Sequence, residues 1–475
     1  MGIGLQIYRS VAMRWMFQIL ALALVVARSS GASPDIVVFL ADDLGWADCS
    51  IHGGRSVPTP HMTRLAAEGM TLGRAFVVSP SCAPSRAALL TGLDPMRNGA
   101  MLNHARPGPL IKKWPAYFRE RGYEVVAFGK VAHYAQVTGY GFDQASHFKY
   151  HEDACIDAAV RWLADRHSRP GGPQPAKPLC LLVGTNWPHV PWPAKGVPAT
   201  GSQAKPLPPH LVDTPEAREA LSRYHAAVAR CDDDLGKVRE AARRHLPAGT
   251  LFLFTGDHGA QFPFGKWNLY DPGVRTPLVA VWPGRIRPGS RSEAMVNWTD
   301  ILPTCLEATG GGDTEGLDGS SFLGVLTGSR DRHRDRVFLT HSADGDMNRY
   351  PIRAVRTGEW KYIRNLDHGA EHHTHIDLGK DTEGDGVRYY RSWVAKAAMD
   401  PAASALLRRY HTRPAEELYH LVKDPSEGVN RVEDPAHREI LATLRADLDA
   451  WMRARGDRGL ETERELHGSK AKRVR

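Results

Sequence analysis

The run Ile36-Val37-Val38-Phe39-Leu40 constrains this chain more than any other feature. It is apolar at every position, whereas a strand with one wet face alternates apolar and polar residues. Such a run needs both faces covered, as in a parallel sheet packed between helices. It ends abruptly in Ala41-Asp42-Asp43-Leu44-Gly45. Short apolar runs at 124–128, 179–184, 251–255 and 278–282 fit the same sheet. Helical spacing marks 63–69, 86–91, 155–167 and 215–245. Strands alternating with helices predict an α/β domain with a mostly parallel sheet over 33–335.

The pattern then changes. Residues 352–363 read as a β-hairpin turning at Thr357-Gly358-Glu359, and 416–421 as a further strand. Residues 437–453 form an amphipathic helix with Ile440, Leu441, Leu444, Leu448 and Trp451 on one face. Residues 336–467 are therefore expected to be a smaller antiparallel α+β subdomain, and 468–475 a basic, disordered tail. At the other end, Arg9 and Arg14 precede the apolar run Trp15–Val26, and Ser30 and Ala32 are small. This predicts a signal peptide over 1–32 and an exported protein: periplasmic or secreted, or lysosomal in a eukaryote. No other stretch is apolar enough for stable membrane insertion.

The net charge of +8 narrows on inspection. The signal segment and residues 452–475 hold nearly all of it, so the body is close to neutral. The charge does not indicate a nucleic-acid surface, and no nucleic-acid motif accompanies it. The six cysteines, Cys49, Cys82, Cys155, Cys180, Cys231 and Cys305, have no C-x-x-C spacing. Export permits disulfides, but small buried thiols are the simpler reading for most of them.

Three groups of residues carry chemistry. In Ser81-Cys82-Ala83-Pro84-Ser85-Arg86, a Cys just before a helix-starting Pro sits at the positive end of a helix dipole. Taken alone, a structural Cys is an equal reading. Asp42 and Asp43 end one predicted strand, and Asp257 and His258 follow another. Ligands of open α/β sheets bind beyond the carboxyl ends of strands. Carboxylates converging there need a cation, and oxygen donors suit Ca²⁺ or Mg²⁺; either pair alone reads as well as a cap or turn. Lys130, His133, His189 and Lys266 also follow strand ends on that face, although lysines are usually solvated.

C-x-P-S-R followed by Leu89-Leu90-Thr91-Gly92 resembles the signature of the type I sulfatases of the alkaline phosphatase superfamily. The resemblance extends to Ala354–Ile363 and Glu417–Glu427. It is nearest the heparan N-sulfatase (sulfamidase) branch in Phe262–Gly273 and His341–Arg353. It implies an alkaline-phosphatase-like fold and a sulfuric ester hydrolase acting on a sulfated saccharide. Cys82 would be oxidised to formylglycine by a formylglycine-generating or anaerobic maturation enzyme. Asp42, Asp43, Asp257, His258 and the modified Cys82 would hold calcium. His258 stands where many members carry Asn, and imidazole is the softer ligand. Arg86 would hold the nucleophile, Lys130, His189 and Lys266 the sulfate, and His133 or His189 would be the general acid. In Gly129-Lys130-Val131-Ala132-His133 the Lys-to-His spacing is three, as in the iduronate-sulfatase-like form. The alternatives are a phosphate or phosphonate monoester hydrolase of the same superfamily, or a non-catalytic binder of sulfated glycans. Specificity is expected in loops 101–115, 134–152, 190–212 and 341–350. Asn297-Trp298-Thr299 is a formal glycosylation sequon that reads more simply as a helix start.

Overall fold

The computed structural model of the chain describes residues 33–54, 57–147, 154–166, 177–196, 207–311, 314–379 and 386–473. The expected signal segment lies outside them.

The apolar run is strand β1 (Ile36–Asp42), with all seven residues buried. Eight further strands of its sheet follow: β2 (Met70–Phe76), β3 (Glu124–Gly129), β4 (Gln144–Ser146), β5 (Leu179–Pro188), β6 (Leu251–Gly256), β7 (Arg275–Thr276), β8 (Leu278–Val281) and β9 (Ser290–Asn297). Their order is β4-β3-β5-β1-β6-β8-β2-β7, with β9 pairing β2. β1 lies in parallel between β5 and β6, in register Ile36 to Cys180 and to Leu251. Both its edges and both its faces are thus covered, as its composition demands. β8 runs antiparallel to β6 and β2, so the sheet is mixed but mostly parallel, as expected.

The sequence does not announce β2 and β9. Gly73 and Arg74 interrupt the first, and the outer half of the second is partly exposed. The helix Pro215–His245 packs along β5. Its start is fixed by Pro215 at the first position and by Thr214, whose side chain accepts from the Ala217 amide.

A second sheet, antiparallel throughout, comprises β10 (Arg336–Asp344), β11 (Asn348–Thr357), β12 (Trp360–Asn365) and β13 (Glu416–His420) in that order. The predicted hairpin is β11–β12. The helix Arg438–Ala454 packs Leu441, Leu444, Leu448 and Trp451 against Val355, Tyr362 and Leu418. Two further helices, Val387–Ala397 and Pro401–His411, lie where the sequence pattern predicts no element. The helix Leu460–Arg473 continues into the tail that its charge predicts to be disordered. Glu461 and Glu463 lie in its first turn, where the helix dipole favours acidic residues.

Asn297 is 5 % exposed and its side chain caps the turn at Trp298–Asp300, which suits the helix-start reading of the sequon. All six cysteines are buried thiols, and none of them is in a disulfide. Among the described residues, no helix is long and apolar enough to cross a membrane.

Candidate active site

Three chain segments meet at the carboxyl end of the central strands. β1 delivers Asp42 and Asp43, with Asp43 in the left-handed region at φ 64°. That conformation turns the chain sharply and is one Asp tolerates better than most residues. The backbone amide of Asp43 donates to Asp257 Oδ1 at 2.9 Å, locking the end of β1 to the residue after β6. The third segment is the helix Cys82–Thr91, all ten residues of which are buried. Its first turn presents Cys82. Ser85 Oγ donates to the Asp257 carbonyl at 2.7 Å.

Around Cys82 Sγ lie His258 Nε2 at 3.3 Å, Asp42 Oδ1 at 3.8 Å and Lys130 Nζ at 3.8 Å. Arg86, wholly buried, reaches Asp257 Oδ2 through Nε at 2.9 Å and Asp42 Oδ1 through a terminal nitrogen at 3.1 Å. It also donates to the carbonyls of Lys130 and Ala41. Lys130 Nζ is 2.5 Å from Asp42 Oδ2. Lys266 Nζ spans both oxygens of Asp43 at 3.0 and 2.8 Å. His189 Nε2 lies 3.9 Å from Asp43 Oδ2, while its Nδ1 donates to the Val190 carbonyl at 2.6 Å.

Burial pushes the Asp42 carboxyl up, but Lys130, His189, Arg86 and Lys266 outweigh it and hold the group well below the usual range. Asp43 goes the other way: burial carries it to about 7 despite Lys266 and His258. Burial raises the Cys82 thiol, yet Lys130 and Lys266 bring it below its ordinary value. Burial lowers His258, but Asp257, Cys82 and Asp43 raise it to about 9. In the cation-free cluster, then, His258 carries a proton as counter-charge.

One ligand atom each from Asp43, Cys82, Asp257 and His258 lies within 4.8 Å of the others. Two carboxylates, an imidazole and a fourth donor at residue 82 fit a divalent cation. His258 is oriented for this role, because its Nδ1 engages the Gly259 carbonyl at 3.0 Å and Nε2 is turned to the cluster. Asp42 stands beside this set, bound to Lys130 and Arg86.

The residues expected from sequence thus converge. His133, on the loop after β3, is buried and close enough to feel Lys130, Asp42 and Arg86. Sequence reasoning did not single out Asn103, His104, Trp267, Asp344 and His375, which gather next to His133 and Lys266. Asp344 Oδ2 accepts from Asn103 Nδ2 and Trp267 Nε1, each at 2.8 Å. His375 stacks on Trp267 at 4.9 Å. The sequence signals are that the first two and Asp344 fall in loops 101–115 and 341–350, and that Trp267 and Asp344 fall in the stretches resembling the sulfamidase branch.

Comparison with known proteins agrees with this geometry. A family profile described as Sulfatase matches residues 34–311, and one described as N-sulphoglucosamine sulphohydrolase, C-terminal, matches 256–396. An ulvan-active sulfatase of Formosa agariphila is 29% identical, covering 91% of this chain and 83% of the relative. The N-sulphoglucosamine sulphohydrolase of Homo sapiens is 28% identical, covering 91% and 92%. A solved structure in complex with its substrate D-glucosamine-2-N,6-O-disulfate superimposes with a TM-score of 0.65 at 17% identity, over 90% of this chain and 99% of that one. The expected alkaline-phosphatase-like architecture is borne out. With the Sulfatase profile spanning more than half of its length, the chain belongs to the type I sulfatase family.

Proposed function

We propose that this chain is an exported sulfatase that hydrolyses sulfate esters or sulfamates of a sulfated saccharide. The observation that carries this is Cys82 at the buried start of a helix, ringed by three carboxylates and three fixed cations. The relatives support the substrate class, being named for ulvan and for N-sulphoglucosamine.

In this reading a maturation enzyme oxidises Cys82 to formylglycine, and Sγ marks where an oxygen of the hydrated aldehyde stands. Residue 82 then supplies a nucleophilic oxygen and a second hydroxyl through which sulfate is expelled. Asp43, Asp257, His258 and residue 82 hold the cation, with Asp42 beside them. We take it as calcium, or magnesium, and it supplies Lewis-acid charge to the sulfate oxygens. Arg86 orients residue 82 and holds Asp42 and Asp257 in place. Lys130 and Lys266 present ammonium groups to the sulfate, electrostatic stabilisation that typically dominates such transfers. His189 and His133 manage the protons. Residues 1–32 direct export, 33–335 form the catalytic domain, and 336–467 the C-terminal subdomain that brings Asp344 to the site.

Mass spectrometry of the peptide containing residue 82, from protein made with a maturation system, should find the aldehyde. Sulfate release from defined heparan, chondroitin and algal fragments should identify the sugar. An unmodified thiol together with no release from any fragment overturns the proposal. Faster turnover of an aryl phosphonate than an aryl sulfate would move the chain to phosphonate hydrolysis, and binding without turnover would make it a glycan binder.

A further inference from the structure

We propose that Asp344 and His104 are positioning residues that fix the tautomer of His133, making His133 Nδ1 a hydrogen-bond acceptor in the active site. The inference rests on the sulfatase reading for its catalytic meaning and on geometry for the relay itself.

His133 Nε2 lies 2.8 Å from His104 Nδ1, and the two rings meet edge to face at 4.4 Å. The other nitrogen of His104, Nε2, is 3.4 Å from Asp344 Oδ1. Asp344 is 4 % exposed, and its second oxygen is occupied by Asn103 and Trp267. Burial raises its carboxyl, but the bond from His104, with His375, Lys266 and Asn103, holds it below the ordinary value. Asp344 is therefore a carboxylate, which only accepts.

The protons follow in order. His104 Nε2 must carry hydrogen to meet Asp344. We take His104 as the neutral imidazole with its one N–H on Nε2, so that Nδ1 accepts. His133 Nε2 must then donate to it. His133 is buried, and burial, Lys130 and His104 push it down to about 2, so it is neutral. Its Nδ1 is left as a bare lone pair. That atom is buried and has no hydrogen-bond partner among the described residues. An unsatisfied buried polar atom is destabilising, and a ligand or nucleophile O–H or N–H recovers that loss on binding. Of the two histidines weighed for proton donation, His133 is thereby assigned to acceptance.

The relay is tied to the nucleophile's helix. Asn103 Oδ1 accepts from the Ala83 amide at 3.0 Å, and the Asn103 amide donates to the Ala343 carbonyl at 3.0 Å. Gln136 Nε2 donates to the His104 carbonyl at 2.9 Å. These bonds hold His104 at φ 67°, a left-handed conformation unfavourable for a non-glycine residue.

The test is Asp344→Asn in the full chain. The asparagine oxygen can still accept from Asn103 and Trp267, while its NH₂ now faces His104 Nε2. Every proton in the relay then reverses, and His133 becomes the Nδ1–H form. Histidine ¹⁵N NMR should show His133 as the Nε2–H tautomer in the parent and inverted in the variant. On an aryl sulfate, kcat should fall about 10²-fold with KM nearly unchanged, the scale of one acid–base group. His104→Asn suits the left-handed backbone and is exposed, so it should fold; it should fall equally, and the double variant no further. His133 protonated at Nδ1 in the parent, or unmoved by Asp344→Asn, overturns the relay. If the parent releases no sulfate from any substrate, the sulfatase reading fails while the NMR still decides the relay.

Discussion

Lys266 should hinder cation binding while promoting catalysis, and Lys266→Met separates the two. Lys266 and Asp43 are 2 % and 1 % exposed, and Nζ touches both carboxylate oxygens at 3.0 and 2.8 Å. A cation that takes Asp43 must compete with this ammonium group. Removing one partner of a buried pair costs about 3–5 kcal/mol, because the other charge stays buried and uncompensated. His258, 3.4 Å from Asp43 Oδ1, offsets part of that, so about 3 kcal/mol is a fair figure for the cation-free variant. Bound calcium supplies the missing charge, so the same energy reappears as tighter binding. At 1.4 kcal/mol per factor of ten, the gain is about 10²-fold in apparent affinity. Activity should move oppositely: at saturating calcium, kcat/KM on an aryl sulfate should drop about 10²- to 10³-fold with the loss of one fixed cation. Calorimetric titration of chelator-stripped parent and variant, with initial rates alongside, measures both. Lys130→Met is the comparison, since Lys130 holds Asp42, outside the four-donor set, and should tighten calcium binding less. Calcium binding unchanged or weakened in Lys266→Met would refute the reasoning.

Other expectations follow from single contacts. Cys82→Ala should abolish sulfate release while leaving the melting temperature nearly unchanged, checked by ion chromatography and calorimetry. Arg86→Lys should lower kcat/KM by 10-fold or more on the order of one lost charged hydrogen bond, because an ammonium cannot span Asp257, Asp42 and two carbonyls at once. Arg353, fully buried, bonds Asp457 and Glu463 at 2.6 Å each; Arg353→Met leaves both acids unpaired and should cost about 3–5 kcal/mol in thermal unfolding. Burial holds His225 at about 4, below its unfolded value of 6.5. Its contribution is present above pH 6.5 and is lost as pH falls toward 4. Denaturation curves of parent and His225→Phe should therefore diverge on acidification, the parent losing about 3 kcal/mol relative to the variant.

What the sequence reveals about this site, and what it conceals, follows from how far apart the cooperating residues lie. β1 was legible because a strand covered on every side must be apolar throughout. Cys82, Arg86, Asp42, Asp43, Asp257 and His258 were legible because each occupies a strand end or a helix start, which are local features. The role of His258 was ambiguous by composition; in the structure the Gly259 carbonyl takes up Nδ1 and leaves Nε2 facing the cluster. The relay was illegible because it joins loops far apart in the chain: Asn103 and Asp344 are 241 positions apart. Neither loop carries a periodic signal, and His104 depends on a backbone angle that composition does not encode.

Charge shows the same limit. A count gives lysines, an arginine and acids near a nearly neutral body, with no hint of their pairing. In the folded site Asp42, Asp43 and Asp257 are matched against Lys130, Lys266 and Arg86 at 2.5–3.1 Å, with protonated His258 as a further counter-charge 3.4 Å from Asp43 Oδ1. Fixed cations so paired have little potential to spare for an anionic sulfate. A divalent cation that takes Asp43 and Asp257 changes that balance. It would free Lys266 from Asp43 and add two positive charges among buried side chains, where screening is weak. On this view the cation's first contribution is to release charges the protein already holds, and Lys266→Met is the variant in which that release has nothing left to free.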